Sequence, residues 1–161
     1  MWVPLRGLFP KAEIPVLGLS LPGLSPGALF SLGQSLAPLR DEGVLILCSG
    51  GMTHNLGILL PWMEAPAEDW AATFDRWAAD RLSEGDAAAL LDFLARAPFA
   101  RRAHPTSEHF APLFVALGAV SGKMTQVSFP VTGFRWGTLS MRSVEFRAPG
   151  EDRAARTVAW P

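Results

Sequence analysis

Val44 to Cys48 are five consecutive apolar residues, and the run that holds them, GVLILCSG over Gly43–Gly50, stops at the pair Gly50-Gly51. Nothing in this run alternates with polar residues, so a strand formed here has no solvent-facing side and needs cover on both faces. That requirement points to an α/β fold with a mostly parallel central sheet and flanking helices. The upstream segments suit it. Ile14–Leu21 (IPVLGLSL) is a second short apolar run closed by Pro22-Gly23. Ser25 and Pro26 then open a helix whose Leu29, Leu32 and Leu36 recur at helical spacing before Asp41-Glu42-Gly43. Strand, helix and strand in this order predict a right-handed parallel crossover.

Further along, PAEDWAATFDRWAADRL predicts a helix with Trp70, Phe74, Trp77 and Leu82 near one face and Asp69, Asp75, Arg76 and Asp80 outside it. Asp86 is placed to cap another helix through AALLDFLARA, which Pro98 ends. TQVSFPV and GFRWGTLSMRSVEFRA alternate partially, and Thr132-Gly133 between them predicts a C-terminal antiparallel hairpin. The expectation is one domain over residues 1–148 and a polar, frayed tail over 149–161.

Charge excludes some partners. Lys and Arg number 14 against 15 Asp and Glu, with no basic run, so neither nucleic acid nor an anionic membrane finds an electrostatic footprint. No stretch approaches the roughly 20 apolar residues of a membrane span, and a single cysteine, Cys48, makes no disulfide within the chain. A cytoplasmic, reducing location is expected, with Cys48 as a small buried apolar residue at a strand end.

The three histidines, His54, His104 and His109, lie near turns. His54 follows the end of the second apolar run, where open α/β sheets form their ligand crevice. Ser49-Gly50-Gly51 lacks the spacing and the Lys-Ser/Thr of a phosphate loop, and no serine sits between glycines as in a nucleophile elbow. The glycines are therefore read as allowing a sharp turn and a close backbone approach. In HPTSEHF, Pro105 forces His104 out of helical geometry, and Thr106 is a candidate N-cap. Glu108 and His109 then fall in the first turn of a helix through FAPLFVALGAV, with Pro112 a point for a kink. The positive helix end favours the neutral imidazole that a metal needs. His104 and His109 do not have the spacing of a zincin helix. Asn55 either caps local backbone or meets a substrate, and His104 is read as a structural histidine.

PLRDEGVLILCSGGMTHNL, FDRWAADRL and HPTSEHFAPLFVALGA occur in this order, preceded by WVPLRGLFPKAEIPVLGLSL and followed by GTLSMRSVEF. Together they resemble the class III extradiol ring-cleavage dioxygenases, in the DOPA 4,5-dioxygenase branch. The resemblance implies that His54 is the catalytic acid/base and His109 a ligand of the active-site metal; beside them, Asn55 and His104 are candidates for substrate-binding or supporting residues. It also implies non-haem Fe(II), with Zn(II) in its place in some members, and a catechol opened next to its diol by O2. Only the C-terminal portion of the family is represented. The family's other ligand histidines lie upstream of the matched region, and Met1 stands where a further one precedes the tryptophan matched by Trp2. The chain is accordingly expected to be inactive alone. An uncovered sheet edge would favour a homo-oligomer or a complementing N-terminal fragment. The alternative is a non-catalytic binding or scaffold module that keeps the fold. The dioxygenase reading requires folding to bring His54 and His109 to opposite sides of one cavity.

Overall fold

The computed structural model of the chain describes residues 5–7, 9–23, 25–122, 125–148 and 158–159. The expectations placed on Met1–Pro4, and those on residues 149–157 and 160–161, lie outside the described residues. The first long helix, α1, runs over Pro26–Asp41, with Ser25 Oγ accepting from the Ala28 N–H at 3.3 Å and Pro26 opening the first turn. It packs along α6, Ala111–Val120. Gly33 and Gly118 sit at the crossing, and a Cβ on Gly33 would strike the Val115 carbonyl, while one on Gly118 would strike that of Phe30. Two glycines thus let the helix backbones touch.

Helix α2, Asp69–Glu84, buries Trp70, Phe74 and Leu82 and ends at Gly85 in the left-handed conformation, φ +71°. Asp75 is a correction to the amphipathic reading: it lies inside, 5% exposed, because Arg142 neutralises it there. Asp86 caps the next helix through the Ala89 N–H at 2.9 Å. The helix then breaks at Asp92 (φ −101°, ψ 30°), giving α3, Ala87–Leu91, and α4, Phe93–Arg96. A short α5, Ala100–Ala103, follows.

The core is an aromatic cluster between α2, α4 and α6. Phe93 and Phe110 have ring centroids 4.7 Å apart, Phe110 and Phe114 5.4 Å, and Phe74 and Phe110 5.7 Å. Each of these phenylalanines is no more than 1% exposed, and burying one stabilises the fold by roughly 1.5–3 kcal/mol.

The expected parallel central sheet is not formed among the described residues. Ile14–Leu21 and Gly43–Gly50 form neither helix nor ladder. Leu17 is 96% exposed and Leu45 79%, so the runs whose apolarity predicted burial on both faces are covered only in part. Cys48 is half-buried against the core, and burial pushes its thiol pKa up.

Three small two-stranded sheets are present among the described residues. β1 (Gln126–Ser128) pairs antiparallel with β5 (Glu145–Arg147), and β3 (Phe134–Arg135) with β4 (Leu139–Ser140). β2 (Val131–Thr132) pairs in parallel with β6 (Val158–Ala159), which lies in the segment expected to be frayed. The hairpin turn falls at Trp136-Gly137-Thr138 rather than Thr132-Gly133. Gly137 takes φ +65° against Leu60 and the Pro66 carbonyl, where a Cβ has no room. Register shifts by one residue between Ser128↔Glu145 and Phe134↔Ser140. The extra residue is on the first strand, near Pro130, as expected of a bulge beside a residue without an N–H.

Candidate functional site

The loop over residues 50–55 follows the second apolar run and is fastened at every step. Gly50 presses its backbone against the His109 carbonyl, leaving no room for a Cβ, and the Gly51 N–H donates to that same oxygen at 2.8 Å. This is the close approach for which the glycine pair was singled out. Met52 turns its carbonyl to His104 Nε2, 2.9 Å away. Thr53 Oγ1 donates to the Thr138 carbonyl at 2.7 Å and accepts the Ser140 N–H at 2.6 Å. The His54 N–H donates to the Ala103 carbonyl at 3.0 Å, and Asn55 Nδ2 to the Arg102 carbonyl at 2.8 Å, so the loop caps the C-terminal end of α5. Asn55 Oδ1 accepts the Gly57 N–H at 3.1 Å and starts a single 3-10 turn, Leu56–Ile58. Both ends of the Asn55 amide are spent on backbone.

These bonds set His54 on His109. The imidazole centroids are 3.4 Å apart with planes 20° from parallel. The rings are therefore in face-to-face contact and do not stand on opposite sides of a cavity, as the sequence reading required; that separation is van der Waals thickness and admits nothing between them. Both histidines are partly exposed. Partial burial and the neighbouring His109 hold the His54 pKa below the ordinary imidazole value, since each disfavours the charged ring. Glu108 Oε1 lies 3.9 Å from His109 Nε2 and accepts from Thr106 Oγ1 at 2.7 Å; the hydroxyl bond holds its carboxyl below the usual range.

Three local expectations are corrected. Thr106 spends its hydroxyl on Glu108 and caps no helix, because residues 105–110 form bends and a turn and α6 begins at Ala111. His109 thus precedes the helix. Pro112 falls in the first helical turn, where its missing N–H breaks no internal bond, so it produces no kink.

His104 is 2% exposed and packed against Phe110 (4.9 Å), Phe74 (5.4 Å) and Phe93 (5.9 Å). The Met52 carbonyl can only accept, so Nε2 carries the proton, and Nδ1 has no partner among the described residues. Burial lowers this pKa to about 4. His104 holds up the loop from below and does not reach its surface.

Among the described residues, no group of three or more His, Cys, Asp or Glu side chains could hold a metal ion. His54, His109 and the exposed Glu108 therefore do not fit a metal site on their own. A neighbouring open cavity of about 420 Å³ is lined by Glu68, Asp69, Trp70, Phe99 and Arg102, but by neither of the stacked histidines. Sequence reasoning missed Thr53, Asp75, Ser140 and Arg142, which fix the loop from behind. A threonine just before a candidate histidine, in a run of otherwise apolar and glycine residues, was the available signal.

A helix-rich α/β chain with two loop histidines brought together by folding defines a class, and comparison with known proteins names it. The chain belongs to the family described as the catalytic LigB subunit of aromatic ring-opening dioxygenase, which it matches over residues 1–145. It is 41% identical over 147 residues to the 4,5-DOPA dioxygenase extradiol of Portulaca grandiflora, covering 90% of this chain and 54% of that protein. The protein of the same name from Escherichia coli K12 is 34% identical over 148 residues, covering 89% and 54%. The crystal structure of an uncharacterized protein from Escherichia coli K12 superposes with a TM-score of 0.77 at 33% identity, covering 87% of this chain and 58% of that one. The chain thus spans about half the length of the curated relatives it matches. Among the described residues, no helix is long and apolar enough to cross a membrane.

Proposed function

We propose that this chain supplies the acid/base histidine and one metal donor of an extradiol ring-opening site that acts on a catechol with O2 and non-haem Fe(II). The observation that supports the reading is that His54 and His109, from two loops far apart in sequence, come to one place, although in ring contact and not across the cavity that was expected. His54 is the proton-handling group. Its lowered pKa leaves a neutral ring at neutral pH, with a nitrogen free to take the proton of a catechol hydroxyl: the substrate O–H breaks, an N–H forms, and the proton returns later. His109 is the donor offered to the metal. The remaining donors are absent among the described residues, so no step through the metal is drawn from this chain. Asn55 and His104 act through the backbone by fixing the loop that carries His54.

The test is catechol-dependent O2 uptake by this chain joined to the portion of the Escherichia coli relative that it does not match, with DOPA as first substrate because the relatives' name states it. His54→Ala is expected to lower turnover by roughly 10²–10⁴-fold, and unchanged turnover in the folded variant refutes the acid/base role. The absence of a three-ligand cluster among the described residues favours a second reading, a non-catalytic module of the same family. That reading predicts no O2 uptake in any combination.

A further inference from the structure

We infer that Thr53, Ser140, Asp75 and Arg142 form a buried positioning relay that sets the His54 ring against His109; calling this catalytic positioning rests on the function proposed above. The relay is continuous. Arg142 Nε donates to Asp75 Oδ1 at 2.9 Å and Nη2 to Oδ2 at 2.5 Å. Asp75 Oδ1 also accepts from Ser140 Oγ at 2.6 Å, and Ser140 in turn donates its N–H to Thr53 Oγ1 at 2.6 Å. Thr53 closes the path by donating to the Thr138 carbonyl at 2.7 Å, and it immediately precedes His54. The path thus joins the middle of α2 to the β3–β4 hairpin and the hairpin to the histidine loop.

Three observations separate positioning from plain stabilisation. Thr53 is 1% exposed and uses its hydroxyl as donor and acceptor at once, so two backbone groups of the hairpin fix where that side chain stands. Asp75 and Arg142 side chains are 7% and 15% exposed, and a buried ion pair is a poor source of net stability against an apolar pair of equal volume. It does impose a fixed geometry, because the guanidinium fork and the carboxylate meet in a bidentate pair and Arg142 also lies over Phe129, 4.7 Å from its centroid. Finally, the loop's other fastenings run to Arg102, Ala103 and His104 on the α5 side and to the His109 carbonyl. The relay is its tether to the hairpin.

The experiment uses the full chain with isotope-labelled histidines and reads the NOE between His54 and His109 imidazole protons alongside the thermal midpoint. Thr53→Val keeps the shape and removes the hydroxyl; it is expected to weaken the ring–ring NOE at least fivefold while amide dispersion stays native-like. Thr53→Ser restores the NOE to within twofold. A Thr53→Val chain with the wild-type NOE, or a Thr53→Ser chain as impaired as Thr53→Val, overturns the proposal. Should Thr53→Val fail to fold, Ser140→Ala decides: it cuts the bond to Asp75 but keeps the Ser140 N–H, and an undiminished NOE there overturns the relay. Absence of O2 uptake by the joined protein, with the wild-type NOE present, would refute the proposed function and leave the relay standing.

Discussion

Acidification should draw down the stability tied to a neutral His104 before it reaches the carboxylates that usually govern acid unfolding. The ring is neutral and buried, with a pKa of about 4 against an ordinary value of 6.5. The folded value is depressed, so the unfolded chain takes up the proton first as pH falls. The stability is therefore complete above pH 6.5 and is lost between 6.5 and about 4, below which both states are protonated. Linkage over this interval gives a loss of about 2 kcal/mol at pH 5 and about 3 kcal/mol at pH 4 from this one side chain. Urea unfolding at pH 7, 6, 5 and 4 measures it, with His104→Gln as the reference because an amide keeps an N–H for the Met52 carbonyl and does not titrate. The wild-type curve should fall relative to the variant by about 2 kcal/mol between pH 7 and 5. Parallel curves for the two proteins would refute both the buried neutral tautomer and the account of the core that contains it.

Gly33→Ala forces a methyl into the Val115 carbonyl at the α1–α6 crossing and should cost at least about 1–3 kcal/mol, read as a lowered thermal midpoint. Arg142→Met leaves Asp75 buried without its partner, a loss of about 3–5 kcal/mol; Asp75→Leu combined with Arg142→Met should recover much of it. Gly50→Ala should wedge the His54 loop off the His109 carbonyl, visible as changed shifts of both imidazoles with α1 and α2 amides unmoved. Dialysed against Fe(II) or Zn(II), the chain alone should retain well under one ion per molecule by elemental analysis, since no three-ligand cluster exists among the described residues.

Helices were legible because capping and apolar spacing are local signals: Ser25, Pro26 and Asp86 act as their sequence positions suggest. The sheet was not. Ile14–Leu21 and Gly43–Gly50 carry strand composition, yet a ladder needs a second strand in register, and apolarity says nothing about where that strand is. The hairpin turn was misplaced for a related reason: Thr132-Gly133 has turn chemistry, but the hairpin's fit against Leu60 and Pro66 put the reversal at Gly137. In the site, His54 and His109 were picked out by motif and position, and folding brings them into contact. Asp75 was misread because helical periodicity cannot register a partner, Arg142, that arrives from a distant segment just after β4. Thr53 was passed over since a hydroxyl's value depends on what it meets, here two backbone groups of the hairpin.

The contact between His54 and His109 is tested most directly by titrating His54 by NMR in the wild-type chain and in His109→Ala. Partial burial and the charge of His109 both depress the His54 pKa, so removing that ring should move the midpoint up, toward the ordinary imidazole value. A His54 midpoint that is identical in the two folded proteins would mean that the rings do not share one environment, and the site as described would not exist.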